Sequence, residues 1–492
     1  MTQNTTMAVA PARNAVRWDY APAPESTAIA QLAPRYDLFI AGSWVPAADG
    51  RTLTTTNPAT GEPLAEVALA GPADVTAAVA AARKAAPGWA ALPGIERGKV
   101  LFRIARLIQE RSRELAVIES LDGGKPIRES RDMDIPLAAA HFFSYAGWAD
   151  KLEYALHGRP HLPRGVVAQI VPWNFPLLMA AWKLAPALAC GNVSILKPAE
   201  TTPLTALVLA QILKEADVPD GVVSILPGDG ATGAALVREP GVDKVAFTGS
   251  TSVGKDIQRA LAGRDVGMTL ELGGKSANIV FEDAALDQAV EGIITGIFFN
   301  QGHVCCAGSR VLVQESIAPE VIERLWHRMG QLRVGDPLDK NTDIGAINSP
   351  EQLARIEALV ATGEEEGASR RSVACALPER GSWFAPTMFT DVAPAHRIAT
   401  EEVFGPVVSI MTFRDEAEAV EKANNSAYGL AAGVWTDKGS RAFDIAGRLR
   451  AGVVWQNTYN RFDPTAAFGG FKESGFGREG GPSGLLPYLV TS

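Results

Sequence analysis

Short apolar runs recur every 22–27 residues between Arg164 and Leu272, and the segments between them are rich in Ala and Leu. Strands separated by helices of that length form right-handed βαβ units, so the pattern predicts a parallel sheet. The predicted strands span residues 166–171, 193–196, 222–226, 245–247 and 268–272. Turns marked by Pro or Gly follow these runs, so polar residues collect at one edge of the sheet. A dinucleotide would lie at that edge, because such sheets bind ligands at the carboxyl ends of their strands.

A second α/β pattern begins at Asn278, with a helix predicted at 286–299, a strand at 311–313 and a helix at 317–329. At 492 residues the chain exceeds the size that one hydrophobic core usually supports, so two large domains are expected. One long helix is predicted at 95–121, because its apolar residues recur at helical spacing and Gly123-Gly124 follows. No composition break marks a flexible linker. The domains are therefore expected to pack together, with a site in the cleft between them.

Composition excludes several classes of function. The net charge of -9 argues against a nucleic-acid or anionic-membrane surface, and no run of eighteen apolar residues could span a membrane. Four cysteines, two of them adjacent, form neither a disulfide framework nor zinc-ligand spacing, so no metal site is expected. Residues 1–35 lack the features of a secretory signal. They are predicted to form a disordered or loosely attached tail on a cytoplasmic protein.

Three patterns carry chemistry, and each alone is also open to a purely structural interpretation. Cys305 lies in a small, glycine-flanked loop after an apolar helix, which suits a nucleophilic thiolate, although buried cysteines are usually inert. Glu271 ends the last predicted strand of the first domain, where a carboxylate is either a general base or a capping or ion-paired side chain. The turn at 247–251 precedes a helix whose N-terminus would present N–H groups to a diphosphate.

These patterns combine with others into a resemblance to the aldehyde dehydrogenase superfamily that covers the chain from about Tyr36 to Tyr488. The matching stretches are P-W-N-F-P at 172–176, L-K-P-A-E at 196–200, F-T-G-S-T at 247–251, E-L-G-G-K at 271–275, N-Q-G-x-V-C at 300–305, E-E-V-F-G-P at 401–406 and F-G-G-F-K-x-S-G-x-G-R-E at 468–479. Seven such stretches in the right order identify the chain as a member of that superfamily.

The resemblance implies an NAD(P)-dependent oxidation of an aldehyde to a carboxylic acid through a thiohemiacetal and a thioester. Cys305 would be the nucleophile and Cys306 its structural neighbour. Asn174 would stabilise the oxyanion, and Glu271 would activate the water that releases the acid. Lys183 and Glu479 match positions that could relay the proton.

The resemblance also assigns a cofactor site and a substrate tunnel. An acidic side chain at position 200 favours NAD over NADP, since a 2′-phosphate would meet a like charge, although NADP stays possible. The expected cofactor residues are Trp173, Lys197, Glu200, Gly249, Ser250, Gly273, Glu402 and Phe404. The tunnel would be lined by Phe175, Met179, Trp182, Phe299, Phe462 and Phe468, unless these side chains are simple core packing. Such a lining suits an uncharged or apolar aldehyde.

Two departures from the family pattern bear on function. His303 stands where the family most often has Gln, and it either packs in the loop or tunes the protonation of the cysteine. The chain also stops soon after Tyr488, where many relatives add a strand used in oligomerisation. A homodimer is therefore expected rather than a tetramer, and the strand from 151–165 is expected to be paired differently or left unpaired.

The implied fold class is α/β, with a Rossmann-like parallel-sheet domain, a second α/β catalytic domain and a small oligomerisation hairpin. The expected boundaries are 36–150 and 166–273 for the NAD(P)-binding domain, 274–458 for the catalytic domain, and 151–165 with 480–492 for the oligomerisation element. Two other functions stay open, a CoA-acylating dehydrogenase and a non-catalytic scaffold. The glutamate at position 271 argues against the first, and retention of Cys305, Glu271 and Asn174 together argues against the second.

Overall fold

The computed structural model describes residues 20–491, and its first domain is built on an eight-stranded sheet. In spatial order the strands are Gly475–Phe476, Gly267–Glu271, Lys244–Thr248, Val166–Ile170, Val193–Lys197, Val223–Ile225, Leu38–Ile40 and Ser43–Val45. The five strands predicted from the apolar runs are neighbours and pair in parallel, which confirms that prediction. In register, Thr248 lies beside Glu271 and Ile170 beside Lys197, so the carboxyl ends of these strands share one edge.

Helices cover both faces of this sheet, and its central strands are buried along their length, as expected for parallel strands. The helices of the domain are Pro72–Ala91, Gly94–Glu110, Ser112–Gly123, Ile127–Glu129, Ile135–Trp148, Leu152–Ala155, Pro176–Ala189, Leu204–Glu215, Gly230–Arg238 and Thr251–Leu261. A π-helical turn, Ser130–Asp134, joins two of them.

The prediction of a single long helix at 95–121 is wrong. The chain leaves helical geometry at Arg111, and two helices form instead. The Arg111 guanidinium binds the Glu114 carboxylate at 2.8 and 3.0 Å and the Gln211 amide oxygen at 3.0 Å. The buried faces of the two resulting helices both point inward across this one-residue break. The apolar spacing therefore continues through it, which is why periodicity did not reveal the break.

The second domain contains a seven-stranded sheet in the order Ser369–Ser372, Thr387–Thr390, Val407–Phe413, Arg310–Gln314, Ala277–Val280, Ala431–Trp435 and Val453–Gln456. All neighbours are parallel except the first pair. Its helices are Leu286–Phe298, Ala318–Met329, Pro350–Glu365, Arg397–Thr400, Glu416–Asn424 and Gly439–Arg448. The two helices and the strand predicted in this region are confirmed to within one residue at each end.

Three smaller sheets contain the remaining strands. The segment expected to form an oligomerisation element supplies His161–Pro163, which pairs antiparallel with Leu489–Thr491 of the same chain. This strand is therefore paired within the chain rather than left unpaired. The other two sheets contain Arg35–Tyr36, Pro63–Ala68 and Thr52–Thr56, and Tyr428–Gly429 with Phe471–Lys472. Single 3-10 turns lie at Thr27–Ile29, Phe299–Gly302, Glu315–Ile317, Pro482–Gly484 and Leu486–Tyr488.

Residues 20–33 pack against the body of the protein, which differs from the prediction of a loose tail as far as residue 35. Glu25 is buried, and its carboxylate pairs with Arg113 of the first domain at 2.5 Å and with Lys340 of the second at 3.4 Å. Tyr20 stacks under the Arg333 guanidinium. Residues 1–19, to which the same prediction applies, lie outside the described part of the chain. Within residues 20–491, no helix is both long enough and apolar enough to cross a membrane.

Candidate active site

A cavity of about 360 Å³ opens between the two domains at the carboxyl edge of the first sheet. Sixteen of the nineteen residues expected at the site line it: Trp173, Asn174, Phe175, Met179, Trp182, Gly249, Ser250, Glu271, Gly273, Phe299, Cys305, Glu402, Phe404, Phe462, Phe468 and Glu479. Lys183, Lys197 and Glu200 do not line it. The structure thus brings together most of the residues that the sequence motifs indicated.

The loop that carries Cys305 is sharply turned. The helix Leu286–Phe298 ends, and Asn300 and Gln301 follow with left-handed φ angles of 49° and 54°. Gly302 is also left-handed, and a β-carbon there would overlap with the carbonyl of Gly405. The turn leaves Cys305 partly exposed to the cavity, whereas the thiol of Cys306 is buried and lies 3.7 Å from the side-chain oxygen of Asn460. The exposure of Cys305 suits a nucleophile and the burial of Cys306 a structural role.

Asn174 lies beside this loop, in the turn after the strand Val166–Ile170. Its side-chain nitrogen donates to the carbonyl of His303 at 2.8 Å. The side-chain nitrogen of Asn300 donates to the carbonyl of Asn174 at 2.7 Å. The carboxamide is buried and held by the His303 carbonyl, while Asn300 holds the main chain of Asn174. It is therefore a preorganised donor in the cavity that Cys305 also lines.

Glu271 is the last residue of the strand Gly267–Glu271 and is buried at the base of the cavity. Among the described residues, neither of its carboxylate oxygens has a hydrogen-bond partner. Burial, and after it the negative charge of Glu479, raises the pKa of Glu271 well above its ordinary value of 4.5, while the charge of Lys183 opposes the shift. An unpartnered carboxylate with a raised pKa is suited to accept a proton from water.

Lys183 lies behind this carboxylate rather than in the cavity wall. Its ammonium group pairs with the Glu479 carboxylate, and both side chains are buried. Glu479 itself lines the cavity. The pair therefore connects the cavity to the interior of the first domain, as a proton relay would require.

Glu402 and Gly273 are in contact in the wall of the cavity. The main-chain N–H of Gly274 donates to the Glu402 carboxylate at 3.1 Å, and a β-carbon at position 273 would overlap with that carboxylate. Glycine at this position lets the carboxylate lie against the main chain. Burial raises the pKa of Glu402 to about 7.

Phe404, Trp173 and His303 form an aromatic wall next to Glu402. The His303 ring stacks on Phe404 with 5.7 Å between centroids, and the Trp173 ring meets His303 edge-on at 4.8 Å. Burial lowers the pKa of His303 to about 3, and the charge of Lys125 adds to this shift. The His303 ring is therefore neutral, and packing in the loop, the first of the two roles considered for it, fits its position.

The predicted diphosphate site is the N-terminus of the helix Thr251–Leu261. The Ser250 hydroxyl caps this helix by accepting from the N–H of Val253 at 3.4 Å, and Gly249 precedes it. The free N–H groups and the dipole of an eleven-residue helix favour an anion at this position.

Lys197 is the last residue of the strand Val193–Lys197, and Glu200 follows it in the turn. Their side chains are 3.4 Å apart, with Lys197 buried and the Glu200 carboxylate half exposed. Burial lowers the pKa of Lys197. The expected role of both residues in binding an adenosine ribose stays a prediction.

Aromatic side chains enclose the other end of the cavity. Trp182 lies 6.2 Å from Phe462 and 5.6 Å from Phe468, and the Phe175 and Phe299 rings stack at 6.1 Å, all between centroids. Sequence reasoning missed several apolar residues that line the cavity: Met133, Leu137, Leu178, Val304 and Leu430. Met133 and Leu137 are one helical turn apart, a spacing that predicts a shared face but not which cavity it meets.

Polar residues at the cofactor end were also missed. Gln352 and Arg355 line the cavity from the helix Pro350–Glu365, and Tyr428 lines it from a short strand. The Gln352 side chain donates to the carbonyl of Phe404 at 2.9 Å. These two helical residues lie outside the seven matching stretches, so no local signal marked them.

A partly exposed thiol, an amide donor and a buried carboxylate beside a parallel sheet are the groups that a dehydrogenase working through a covalent thiol intermediate would use. The model of the aldehyde dehydrogenase family matches residues 44–492. Human retinal dehydrogenase 2 is 46% identical over 466 residues, which cover 92% of this chain and 90% of that protein. The structure of an aldehyde dehydrogenase from Bacillus cereus in complex with NAD+ is 42% identical, with a TM-score of 0.92, and the match covers 96% of this chain and 98% of that one. A structure of indole-3-acetaldehyde dehydrogenase complexed with NAD+ is 41% identical, with a TM-score of 0.91, over 94% and 97% of the two chains.

The chain belongs to the aldehyde dehydrogenase family. It is an oxidoreductase that acts on aldehydes, and the α/β fold and the family resemblance predicted from its motifs are confirmed.

Proposed function

We propose that this enzyme oxidises uncharged, apolar aldehydes to carboxylic acids with NAD and that Cys305 carries the covalent intermediate. One observation supports this most directly. A partly exposed thiol, a held carboxamide and an unpartnered carboxylate, on Cys305, Asn174 and Glu271, line one cavity with an aromatic end.

The cavity has the features that a nicotinamide dinucleotide requires. Its entrance combines a helix N-terminus for the diphosphate with the glycine at position 273, where any side chain would overlap with Glu402. Trp173 and Phe404 supply flat surfaces at the same entrance. NAD is supported as cofactor by the family and by the NAD complexes of its structural neighbours. When bound, it accepts a hydride from the carbon of the aldehyde.

The side chains of Cys305, Asn174 and Glu271 carry out the addition to the aldehyde and the hydrolysis of the thioester. The sulfur of Cys305 adds to the carbonyl carbon, and the oxygen becomes negatively charged. The Asn174 carboxamide and the main-chain N–H of Cys305 stabilise that charge. Once the carbon has been oxidised, the acyl group remains on Cys305 as a thioester. Glu271 then takes a proton from water, the hydroxide attacks the thioester, and the acid leaves as the sulfur regains its electron pair.

After each turnover, Glu271 must pass on the proton that it accepted from water. Glu479 lies near enough for its charge to raise the pKa of Glu271, and its carboxylate pairs with Lys183. We assign this buried pair to the relay that returns Glu271 to its ionised form.

Substrate class follows from the closed end of the cavity. Aromatic rings surround it, and burying a charged group there without a partner would cost several kcal/mol, so an uncharged aldehyde is favoured. Two acidic residues line the cavity near these rings, and both are paired: Asp134 with the Lys125 ammonium and Glu479 with the Lys183 ammonium.

The first test follows NADH formation with aliphatic, aromatic and semialdehyde substrates, with NAD or NADP, and with or without CoA. Cys305→Ala should abolish turnover, while Cys306→Ser, its matched neighbour, should keep it. Turnover that requires CoA would replace hydrolysis with acyl transfer to CoA. A protein that binds NAD but shows no Cys305-dependent turnover on any aldehyde would contradict the proposal and favour a scaffold.

We also propose that the protein is a cytoplasmic homodimer. All four cysteines are free, which suits a reducing compartment. The two-stranded sheet exposes Leu162 and Val490, whose exposed fractions are 69% and 48%, and such apolar side chains suit an interface. Sedimentation of the wild type against Leu162→Lys tests this, since a dimer that uses this sheet should dissociate on substitution.

A further inference from the structure

Glu129 contacts the nucleophile loop from a distant part of the chain. One oxygen of its carboxylate accepts the main-chain N–H of Asn300 at 2.9 Å. Glu129 ends the short helix Ile127–Glu129 in the first domain, 171 residues before Asn300. Both residues are buried, at 7% and 2% exposure, so water does not compete for this bond. The mechanism derived above does not use Glu129.

Asn300 connects that bond to the oxyanion site. Its side-chain nitrogen donates to the carbonyl of Asn174 at 2.7 Å and to the carbonyl of His303 at 3.4 Å. The carboxamide of Asn174 donates to the same His303 carbonyl at 2.8 Å. Asn300 thus fixes both the backbone of Asn174 and the carbonyl that orients its side chain.

The backbone at this point needs such support. Asn300 and Gln301 are consecutive non-glycine residues in the left-handed region, which side chains disfavour. The Gln301 carboxamide donates to the carbonyl of Ala346 at 3.1 Å and accepts the N–H of Gly345 at 3.3 Å. The same carboxamide also donates to the carbonyl of Gly124 in the first domain at 3.4 Å. The Gln301 side chain is therefore held by both domains, and the main-chain N–H of Asn300 is held by Glu129 of the first.

We propose that Glu129 is a positioning residue for the oxyanion site, acting through Asn300 on the carboxamide of Asn174. The inference rests on the role proposed above for Asn174. Without the Glu129 carboxylate, the N–H of Asn300 would be buried without an acceptor, and the turn would relax toward a less strained backbone. The Asn174 donor would then lose its alignment, although Asn174 itself is unchanged.

The surroundings of Glu129 explain why a buried carboxylate can accept the N–H of Asn300. The Lys125 ammonium lies in the same buried cluster, where it pairs with Asp134 and lies 3.7 Å from the Glu119 carboxylate. Burial raises the pKa of Glu129 to about 8, and the charge of Lys125 opposes that shift. Either protonation state keeps an oxygen that accepts the Asn300 N–H. A glutamine at position 129 should therefore support the loop equally well.

Three variants separate the hydrogen bond from the charge and from packing. E129Q keeps the acceptor but cannot ionise, E129D keeps an ionisable carboxyl but withdraws the acceptor by about one C–C bond, and E129M keeps the length and loses both. We expect E129M and E129D to lower the pre-steady-state rate of NADH formation on the order of tenfold, and E129Q to stay within about twofold of the wild type. Affinity for NAD, measured by protein fluorescence, should stay unchanged in all three.

A double-mutant cycle with Asn174→Ala tests whether the effect passes through Asn174. The loss caused by E129M or E129D should largely disappear in the Asn174→Ala background. Equal losses in both backgrounds would overturn the inference, as would an E129Q as slow as E129M. If Asn174→Ala alone leaves the rate unchanged, the proposed oxyanion role fails instead, so the two failures are distinguishable. E129D keeps the test open if E129M does not fold.

Discussion

The side-chain nitrogen of Asn174 donates a hydrogen bond to the carbonyl of His303 at 2.8 Å, two residues before Cys305. This bond aligns the carboxamide along the loop that presents the thiol. Removal of the carboxamide in Asn174→Ala should lower the rate of NADH formation by on the order of 10²–10³-fold, by analogy with other oxyanion donors. Stopped-flow measurement of the first turnover reads this step directly. An unchanged first-turnover rate, with NAD bound, would remove Asn174 from the mechanism.

Glu271→Gln should slow release of the acid more than formation of the thioester, because an amide cannot accept the proton of water. A burst of NADH close to one per active site should therefore persist while the steady-state rate falls on the order of 10²-fold, the lower range for general-base catalysis. Quenched-flow measurement of the burst and of the following rate separates the two steps. Equal losses in both would contradict a base that acts only in hydrolysis.

The pH dependence of the same step follows from the environment of Glu271. Burial and the charge of Glu479 raise its pKa well above 4.5, and the neutral form that exists below that pKa cannot act as a base. The steady-state rate should therefore rise with pH through a midpoint well above 4.5, and Glu271→Gln should flatten this profile. A wild-type profile that is level from pH 5 to 8, with hydrolysis limiting, would contradict the assignment.

Glu200→Gln should improve the use of NADP relative to NAD, because the 2′-phosphate no longer meets a like charge. We expect the ratio of kcat/KM for NADP to that for NAD to rise on the order of tenfold, since the Glu200 carboxylate is half exposed and its charge is screened by water. Glu215→Gln is a matched control, with the same 53% side-chain exposure on the same domain. An equal change in both variants would mean that net charge, rather than position 200, sets the preference.

Phe462→Ala should weaken the binding of aromatic aldehydes and leave short aliphatic aldehydes little changed. The Phe462 ring lies 6.2 Å from Trp182 and 5.9 Å from Phe468, so its removal opens the aromatic end of the cavity. We expect KM for an aromatic aldehyde to rise at least on the order of tenfold, since a single methylene-sized contact is worth about that much. Phe443→Ala, which removes a ring that is 80% exposed, is the control. A uniform rise in KM for all aldehydes would argue against a role in substrate choice.

Several features of this protein were predictable from local sequence. The parallel strands ending at Thr248 and Glu271 follow from apolar runs at regular spacing, since that spacing is a property of βαβ units themselves. The glycine-flanked turn before Cys305 also had a local signal, as did the position of Glu271 at a strand end. Because strand ends share one edge of a sheet, even the clustering of these residues could be expected.

Other features depended on contacts between distant segments. At the break at Arg111 the guanidinium binds Gln211, 100 residues further along the chain, and residues 20–33 are held by Arg113, Lys340 and Arg333. Met133, Leu137, Gln352 and Arg355 reach the cavity only because two domains meet there.

The same distinction applies to Glu129 and Asn300. Sequence patterns report the local preferences of backbone and side chains, and these placed the strands, the cysteine loop and the strand-end carboxylate of this chain. A hydrogen bond between residues 171 positions apart depends on how two domains pack. That packing is the sum of many small burial and hydrogen-bond energies, and no short pattern encodes it. The support beneath the nucleophile loop was therefore decided by the tertiary structure alone.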